Sequence, residues 1–266
     1  AIALCERIGD SGTLVGIDAD EDAVFRAKEK LASYKARIIL ETANFRAVSK
    51  VLDKHHINIV NRAVFDLGMS SFQLEESNRG FSFQRNEPLK MTFQKNVSPE
   101  ATTAYDIANQ WKEDSIEAIL FGYGEERFAR RIARAIVLAR KEKPIITTDD
   151  LVAVIKEAVP ESYQHKRLHF ATKTFQALRI AVNDEYGALK EGLLQCFSRL
   201  APSGRMAVIS FHSGEDRIVK LFFKEQKTAG KAMLISKKPI MPSRTEQREN
   251  RRARSAQLRI LEKIGQ

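Results

Sequence analysis

Strand-like apolar runs and helix-like periodic segments alternate along the first 75 residues of the chain. The strand-like runs are residues 13–18, 37–40 and 62–66, and the helix-like segments are residues 1–8, 21–34 and 45–52. This order is typical of an α/β fold with a parallel sheet. Two of the strands end in acids, Asp18 and Asp66. Ligands of open α/β sheets bind beyond the carboxyl ends of the strands, so we expect both acids to lie at a binding crevice.

The alternation stops at about residue 75, and residues 75–171 are predicted to form an inserted helical domain. Its clearest helix is predicted over residues 125–141, where an apolar face lies opposite a stripe of arginines. The stripe consists of Arg127, Arg130, Arg131 and Arg134. Two interpretations of the stripe are open: contact with RNA, or a solvated face whose charges pair with Glu125 and Glu126.

A long amphipathic helix is predicted from residue 172 to about residue 200, ended by the turn-forming residues 202–204. The apolar run at residues 205–211 then predicts a strand that returns the chain to the sheet. Two later segments, residues 232–236 and 257–262, are expected to pair as an antiparallel edge. The sequence therefore predicts a discontinuous Rossmann-like domain over residues 1–74 and 172–266, with the helical domain inserted at residues 75–171.

Charge and cysteine content narrow the class of protein. The chain has 44 lysines and arginines against 34 aspartates and glutamates, a formal charge of +10. This excess suits a polyanion such as RNA, although binding to an acidic membrane surface or a need for solubility would also account for the charge. No apolar run is long enough to span a membrane, and residues 1–8 lack a secretion signal. From these two observations we expect an intracellular protein without a membrane partner. Cys5 and Cys196 belong to no CxxC pair, so we expect no disulfide framework and no metal site.

Asp18 is the first candidate ligand residue. It lies in the run GIDAD at residues 16–20, just after a strand of a nucleotide-binding unit. A carboxylate there can accept hydrogen bonds from both ribose hydroxyls of an adenosine ligand. Asp18 as the N-cap of the helix that starts near residue 21 is a comparable alternative.

Six blocks of sequence, spread across nearly the whole chain, resemble one family of enzymes. The blocks are DLGMSSFQL at residues 66–74, RGFSF at 79–83, GEERFA at 124–129, TFQALRIAVNDE at 174–185, ISFHS at 209–213 and RARSA at 252–256. Together they resemble the MraW family, which methylates the N4 amine of a cytosine in the decoding region of small-subunit (16S-type) ribosomal RNA. The resemblance implies a Rossmann-like, S-adenosylmethionine-dependent methyltransferase with an inserted helical domain for substrate recognition.

The resemblance also implies the residues that hold S-adenosylmethionine: Asp18, Phe45, Asp66 and Gln73. Asp18 suits the ribose, and Phe45 suits an apolar wall for the adenine. The polar groups of Asp66 and Gln73 suit the amino acid end and the reacting centre. For Phe45, a place in the hydrophobic core is the stronger alternative.

Methylation at N4 requires acceptors rather than a covalent nucleophile. The N4 lone pair is delocalised into the ring, so the enzyme must align N4 with the sulfonium methyl and accept hydrogen bonds from its protons. Asp66, Ser70 and Ser71 supply such acceptors, and helix capping is the alternative for the two serines. Methylation at carbon 5 would require a cysteine on such a loop, and neither cysteine lies on one.

Several residues are candidates for contact with the RNA, whose target base must leave its stack. These are Phe81, Phe83, Arg85, Arg127, Arg131, Arg134, His212, Arg252 and Arg254. Packing, a solvated surface and, for His212, a structural hydrogen bond are the alternatives. Residues 183–185 are polar within an apolar helical pattern, and we expect structural roles for them rather than a place in the crevice.

Three departures from the family pattern bear on activity. Family members carry an Asp-led glycine loop before the first acidic strand, and this chain begins after it, which predicts a fragment or an incomplete gene model with doubtful cofactor binding. Lys90 replaces a usual aspartate, and Gly214 replaces a usual leucine. Lys90 inverts a charge near the expected substrate site.

Two other functions are consistent with parts of the sequence. A catalytically inactive RNA-binding or ribosome-assembly protein on the same fold would explain the missing loop and Lys90. An NAD-dependent oxidoreductase shares only Asp18 and ranks last, because the chain lacks a GxGxxG run. The expected partner is RNA in the 30S-type subunit of the bacterial cytoplasm, with a mitochondrial relative as the other setting. A homodimer is one of the assemblies that the sequence allows.

Overall fold

The computed structural model describes residues 1–96, 98 and 100–265, and the chain divides into two compact units. The sheet unit consists of Ala1–Gly68 and Tyr186–Gln266, and the helical unit is Met69–Glu185. Residues 97, 99 and 266, which the expected domains include, lie outside the described residues.

Strands and helices alternate in the first part of the sheet unit, as the sequence predicts. The elements are α1 (Ile2–Ile8), β1 (Thr13–Asp18), α2 (Glu21–Leu31), β2 (Arg37–Thr42), a 3₁₀ turn (Phe45–Ala47), α3 (Val48–Lys54) and β3 (Val60–Asp66). β1 and β2 are parallel, with Asp18 opposite Thr42 at their carboxyl ends. Asp18 and Asp66 therefore end their strands, as expected.

The helical unit packs short helices around its own apolar core. Its helices are α4 (Ser71–Glu75), α5 (Ala104–Gln110), α6 (Glu113–Gly122), α7 (Ala129–Glu142), α8 (Thr148–Ala158), α9 (Glu161–Gln164) and α10 (Thr172–Asn183). Ile107, Leu120, Ile132, Ile155 and Leu178 are fully buried in this core.

α7 begins four residues later than its periodicity predicts. The reason is a tight turn: Glu125 has a left-handed φ of 49°, and a Cβ on Gly124 would lie 2.5 Å from the carbonyl oxygen of Lys173. Arg127 therefore precedes the helix instead of belonging to it.

The predicted long helix after residue 172 is two helices. α10 ends at Asn183, and α11 (Glu185–Ser198) begins after Asp184, whose φ of 45° is left-handed. Arg179 and Glu185 form a buried, two-bonded ion pair across the break, with N–O distances of 2.7 and 2.9 Å. Apolar periodicity continues through the break, which is why the pattern alone predicts one helix.

The rest of the sheet unit follows α11. Its elements are β4 (Leu200–Ser210), α12 (Ser213–Thr228), β5 (Ala232–Leu234), α13 (Arg244–Glu249), a 3₁₀ turn (Arg251–Ser255) and β6 (Gln257–Lys263). Residues 202–204, predicted to end a helix, lie inside β4. The pairing of β4 with β3 is irregular there, and Ser203 has a φ of 58°.

The strands form two sheets, β1-β2 and β3-β4-β6-β5. β3 and β4 are parallel, and β6 pairs antiparallel with both β4 and β5, so the predicted antiparallel edge is confirmed. The mixed α/β class with parallel strands is confirmed as well. Among the described residues, β1 and β2 form a sheet of their own, and none of the strands pairs with both β1 and β3.

A second apolar core lies in the sheet unit, where Leu193, Met206, Val208, Val219 and Leu261 are buried together. Within the described part of the chain, the helices are too short or too polar for any of them to cross a bilayer.

Candidate functional site

Asp18 is an exposed acid at the carboxyl end of β1. Its Oδ1 accepts the backbone N–H of Asp20 at 2.8 Å. The N-cap of α2 is Asp20, whose buried carboxylate accepts the N–H of Asp22, so the N-cap alternative for Asp18 is wrong. An exposed carboxylate has lone pairs for more than one donor, and this arrangement suits a diol.

Phe45 is half-buried in the 3₁₀ turn that follows β2. Its ring packs edge-to-face on Phe65, with 5.8 Å between ring centroids. A Cβ on Gly192 would lie 2.7 Å from the ring, so this glycine of α11 makes room for it. Phe45 packs against the core but is only partly buried, which leaves both interpretations of Phe45 open. Sequence reasoning missed Gly192, although a glycine inside a helix is a usable signal.

Asp66 ends β3 opposite Ile209 of β4. The residue is exposed as a whole, but neighbouring atoms partly desolvate its carboxyl group and raise its pKa, and repulsion from Glu215 raises the pKa further. Glu215 is buried in the first turn of α12 and accepts the N–H of Phe211 at 2.8 Å. Asp66 therefore holds a proton more readily than an ordinary aspartate. Sequence reasoning missed Glu215, because its interaction with Asp66 exists only in the folded structure.

Ser70, Ser71 and Gln73 belong to the helical unit, at the start of α4. The Ser70 hydroxyl accepts the N–H of Gln73 at 3.2 Å, and the Gln73 side chain accepts the N–H of Ser70 at 2.8 Å. This reciprocal pair is a capping box, so the capping alternative is confirmed for Ser70. Gln73 is buried, and its carboxamide oxygen is engaged within the loop. Ser71 is exposed as the first residue of the helix.

The two phenylalanines named as RNA contacts pack inside the helical unit. Phe81 is buried and stacks on Phe93 at 5.6 Å. Phe83 stacks on His169 at 4.4 Å and meets Phe175 edge-to-face at 5.4 Å. These contacts favour the packing alternative for both rings.

Arg85 and Lys90 lie on the surface of the loop that carries these rings. The Arg85 guanidinium donates to the Glu75 carbonyl, and Lys90 is exposed. Asn183 accepts the N–H of Phe93 and donates to the carbonyl of Met91, both at 2.8 Å, so its expected structural role is confirmed. Asn183 therefore anchors the residues that directly follow the exposed Lys90.

The arginine stripe does not pair with Glu126. Arg127, Arg130, Arg131 and Arg134 are exposed, whereas Glu126 is fully buried. Glu126 accepts the hydroxyl of Tyr163 at 2.8 Å and the N–H of Phe128 at 2.9 Å. The predicted pairing with Glu126 is wrong because its carboxylate is turned inward.

His212 is the N-cap of α12. Its Nδ1 accepts the N–H of Glu215 at 3.4 Å, and its Nε2 lies 3.2 Å from a Glu215 carboxylate oxygen, and these contacts favour the structural alternative for His212. The nearby departure Gly214 also has a structural reason. A Cβ on Gly214 would lie 1.8 Å from the hydroxyl oxygen of Tyr186, so a leucine does not fit beside this tyrosine.

The last two RNA candidates lie before β6. Arg252 and Arg254 are exposed on the 3₁₀ turn Arg251–Ser255, which the buried Ala253 anchors. Their exposure permits contact with a polyanion. Of the cofactor and catalytic candidates, Asp18, Phe45 and Asp66 belong to the sheet unit, whereas Ser70, Ser71 and Gln73 belong to the helical unit.

Comparisons with known proteins agree with the sequence blocks and the architecture. The model of the MraW methylase family matches residues 1–264. Ribosomal RNA small subunit methyltransferase H of Brevibacillus brevis is 43% identical over 276 residues, which cover 98% of this chain and 87% of that protein. The protein of the same name from Persephonella marina is 45% identical over 251 residues, which cover 94% and 84%. The mixed α/β fold is that of a Rossmann-like methyltransferase, and the chain belongs to the MraW methylase family.

Proposed function

We propose that this chain transfers a methyl group from S-adenosylmethionine to the N4 amine of a cytidine in the decoding region of small-subunit ribosomal RNA. The family match over residues 1–264 carries the proposal. Both relatives are named as methyltransferases of small-subunit ribosomal RNA. The cytosine N4 target and the decoding region come from the resemblance of the sequence blocks.

The residues of the sheet unit suit the cofactor. The carboxylate of Asp18, an exposed residue, would accept the ribose hydroxyls, and the partly buried Phe45 would cover the adenine. S-adenosylmethionine supplies an electrophilic methyl group on a sulfonium. Gln73 would act mainly through the capping box that shapes the Ser70 loop, because its side chain is buried there.

Asp66 is the proposed acceptor at the reacting amine. S-adenosylmethionine would supply the methyl group to N4, and the Asp66 carboxylate would accept the proton that N4 gives up on methylation. A carboxylate with a raised pKa is a better acceptor for this proton than an ordinary aspartate. Ser70 and Ser71 are proposed as further hydrogen-bond acceptors for the amine.

Exposed arginines would bind the RNA backbone. Arg252 and Arg254 lie on the surface of the sheet unit, and Arg85, Arg127, Arg131 and Arg134 lie on that of the helical unit. Their charges fit the phosphates of RNA in the 30S-type subunit. A role for Phe81, Phe83 or His212 would be indirect, through the loops and the helix that they support.

Methyl transfer is the direct test. The protein is incubated with methyl-labelled S-adenosylmethionine and small subunits that lack the modification, and the released nucleosides are analysed by mass spectrometry. We expect N4-methylcytidine from the parent and at least a hundredfold lower rate from Asp66→Asn, about 3 kcal/mol of lost transition-state stabilisation. Asp10→Asn, which removes an exposed acid of the same unit, is the matched control and keeps the parent rate.

Two outcomes would contradict the proposal. Methylation at another atom would overturn the N4 assignment. Tight binding to the subunit without any methylated cytidine would instead favour the inactive RNA-binding or assembly protein on the same fold.

A further inference from the structure

Two aromatic rings of the helical unit carry three cations on their faces. The Arg127 guanidinium lies 4.6 Å from the centroid of Phe128 and 5.7 Å from that of Tyr163. Arg131 lies 5.7 Å from Phe128, and the Lys166 ammonium lies 5.3 Å from Tyr163. The two rings meet edge-to-face at 4.9 Å. We refer to these five residues as the cation–aromatic cluster.

The three cations of the cluster have no acidic partners among the described residues. Arg127, Arg131 and Lys166 are exposed, and none forms an ion pair within the part of the chain that the structure describes. The adjacent acid, Glu126, is fully buried. Arg130 and Arg134 extend the same positive surface along α7. Such a surface attracts a polyanion strongly.

One buried carboxylate, that of Glu126, binds both aromatic residues of the cluster. Glu126 accepts hydrogen bonds from the Tyr163 hydroxyl and from the backbone N–H of Phe128, so a single side chain positions both aromatic residues. Burial and Glu126 both raise the pKa of Tyr163, so the hydroxyl remains a donor at physiological pH. Guanidinium groups that already lie against rigid rings lose less side-chain entropy on binding than free ones.

We propose that the cation–aromatic cluster binds the phosphodiester backbone of ribosomal RNA, with Arg127 and Arg131 as direct contacts and Glu126 as a positioning residue. The inference rests on the proposed function for the identity of the RNA. The planar guanidinium matches a phosphate through two parallel hydrogen bonds. A carboxylate offers the same geometry, so the choice of RNA over an acidic protein segment rests on the ribosomal RNA substrate of the proposed function.

The test measures RNA binding by the full chain at several salt concentrations. The probe is a fluorescein-labelled hairpin of the small-subunit decoding region, and anisotropy gives the affinity between about 50 and 200 mM salt. We expect Arg127→Ala/Arg131→Ala to lower the affinity about tenfold or more. The slope of log K against log salt should become shallower by about 2, since each lost phosphate contact removes about 0.9.

Matched variants separate charge, geometry and stability. Lys141→Ala removes an exposed charge from the last turn of the same helix and should leave both affinity and slope nearly unchanged. Arg127→Lys/Arg131→Lys keeps the charges and should keep the slope while losing a few-fold in affinity. Tyr163→Phe removes only the hydroxyl that Glu126 accepts, so we expect a few-fold loss of affinity at an unchanged slope. A merely structural cluster would lower the unfolding temperature in these variants and leave RNA affinity intact.

The outcomes distinguish this inference from the proposed function. Unchanged affinity and slope in the double alanine variant, or stronger competition by polyglutamate than by unlabelled RNA, would overturn the inference. Cluster-dependent RNA binding by a parent protein that makes no methylcytidine would support the inference while the proposed function fails. If the double alanine variant methylated RNA at the parent rate and bound it with the parent affinity, the proposed function would stand. The cluster would then have no part in that function.

Discussion

The buried ion pair between Arg179 and Glu185 should be costly to break from one side. Both side chains are about nine-tenths buried, with relative exposures of 9% and 10%, and two bonds of 2.7 and 2.9 Å join them. Glu185→Leu removes the carboxylate and leaves a buried guanidinium without its acidic partner. Such a change costs about 3–5 kcal/mol, because the remaining charge keeps its desolvation penalty.

The size of the effect makes it easy to measure. Domain stability is about 5–15 kcal/mol, and urea m-values are about 1–3 kcal/mol/M, so the urea midpoint should fall by about 2 M. Arg179→Met/Glu185→Leu removes both charges, and we expect it to recover most of the loss, since apolar residues can replace a buried pair at little cost.

An exposed pair provides the control for this prediction. Lys35 and Asp10 lie 3.9 Å apart with side chains 82% and 76% exposed, so Lys35→Ala should change stability by less than about 0.5 kcal/mol. Urea unfolding followed by circular dichroism gives all four values. A cost below about 1 kcal/mol for Glu185→Leu, or a double variant less stable than the single one, would refute the reasoning.

Three further predictions concern the sheet unit. Gly214→Leu should cost about 1–3 kcal/mol in urea unfolding because a Cβ would lie 1.8 Å from the Tyr186 hydroxyl oxygen, and Tyr186→Ala should restore much of that loss; an undiminished midpoint in Gly214→Leu would disprove the close approach. The raised pKa of Asp66 favours the protonated form in the folded state, so the stability of the parent relative to Asp66→Asn should be highest below the unfolded pKa of about 3.9 and fall as pH rises through the folded pKa. Urea midpoints at about pH 3 and pH 7 test this, and a constant difference between the two proteins would contradict it. Burial raises the pKa of Cys196 to about 12, so iodoacetamide at about pH 8 should label it only after denaturation, and rapid labelling of the native protein, seen by mass spectrometry, would show that the thiol is accessible.

Local patterns in the sequence determined much of the architecture. The strands that end in Asp18 and Asp66, the helical insertion and the antiparallel edge all follow from apolar periodicity and turn residues. These features depend on residues that are close together in the sequence, so the local pattern encodes them directly. The family blocks likewise point to methyl transfer from the sequence alone.

Tertiary structure decided the features that depend on distant partners. Glu126 turns inward because Tyr163, 37 residues away, offers it a hydroxyl, and so the arginine stripe has no acidic partner there. Phe81 packs on Phe93, and Asp184 takes a left-handed conformation where Arg179 and Glu185 pair. Periodicity reports which face of a segment is buried. It does not report which distant donor a buried carboxylate meets, because that choice depends on the packing of the completed fold.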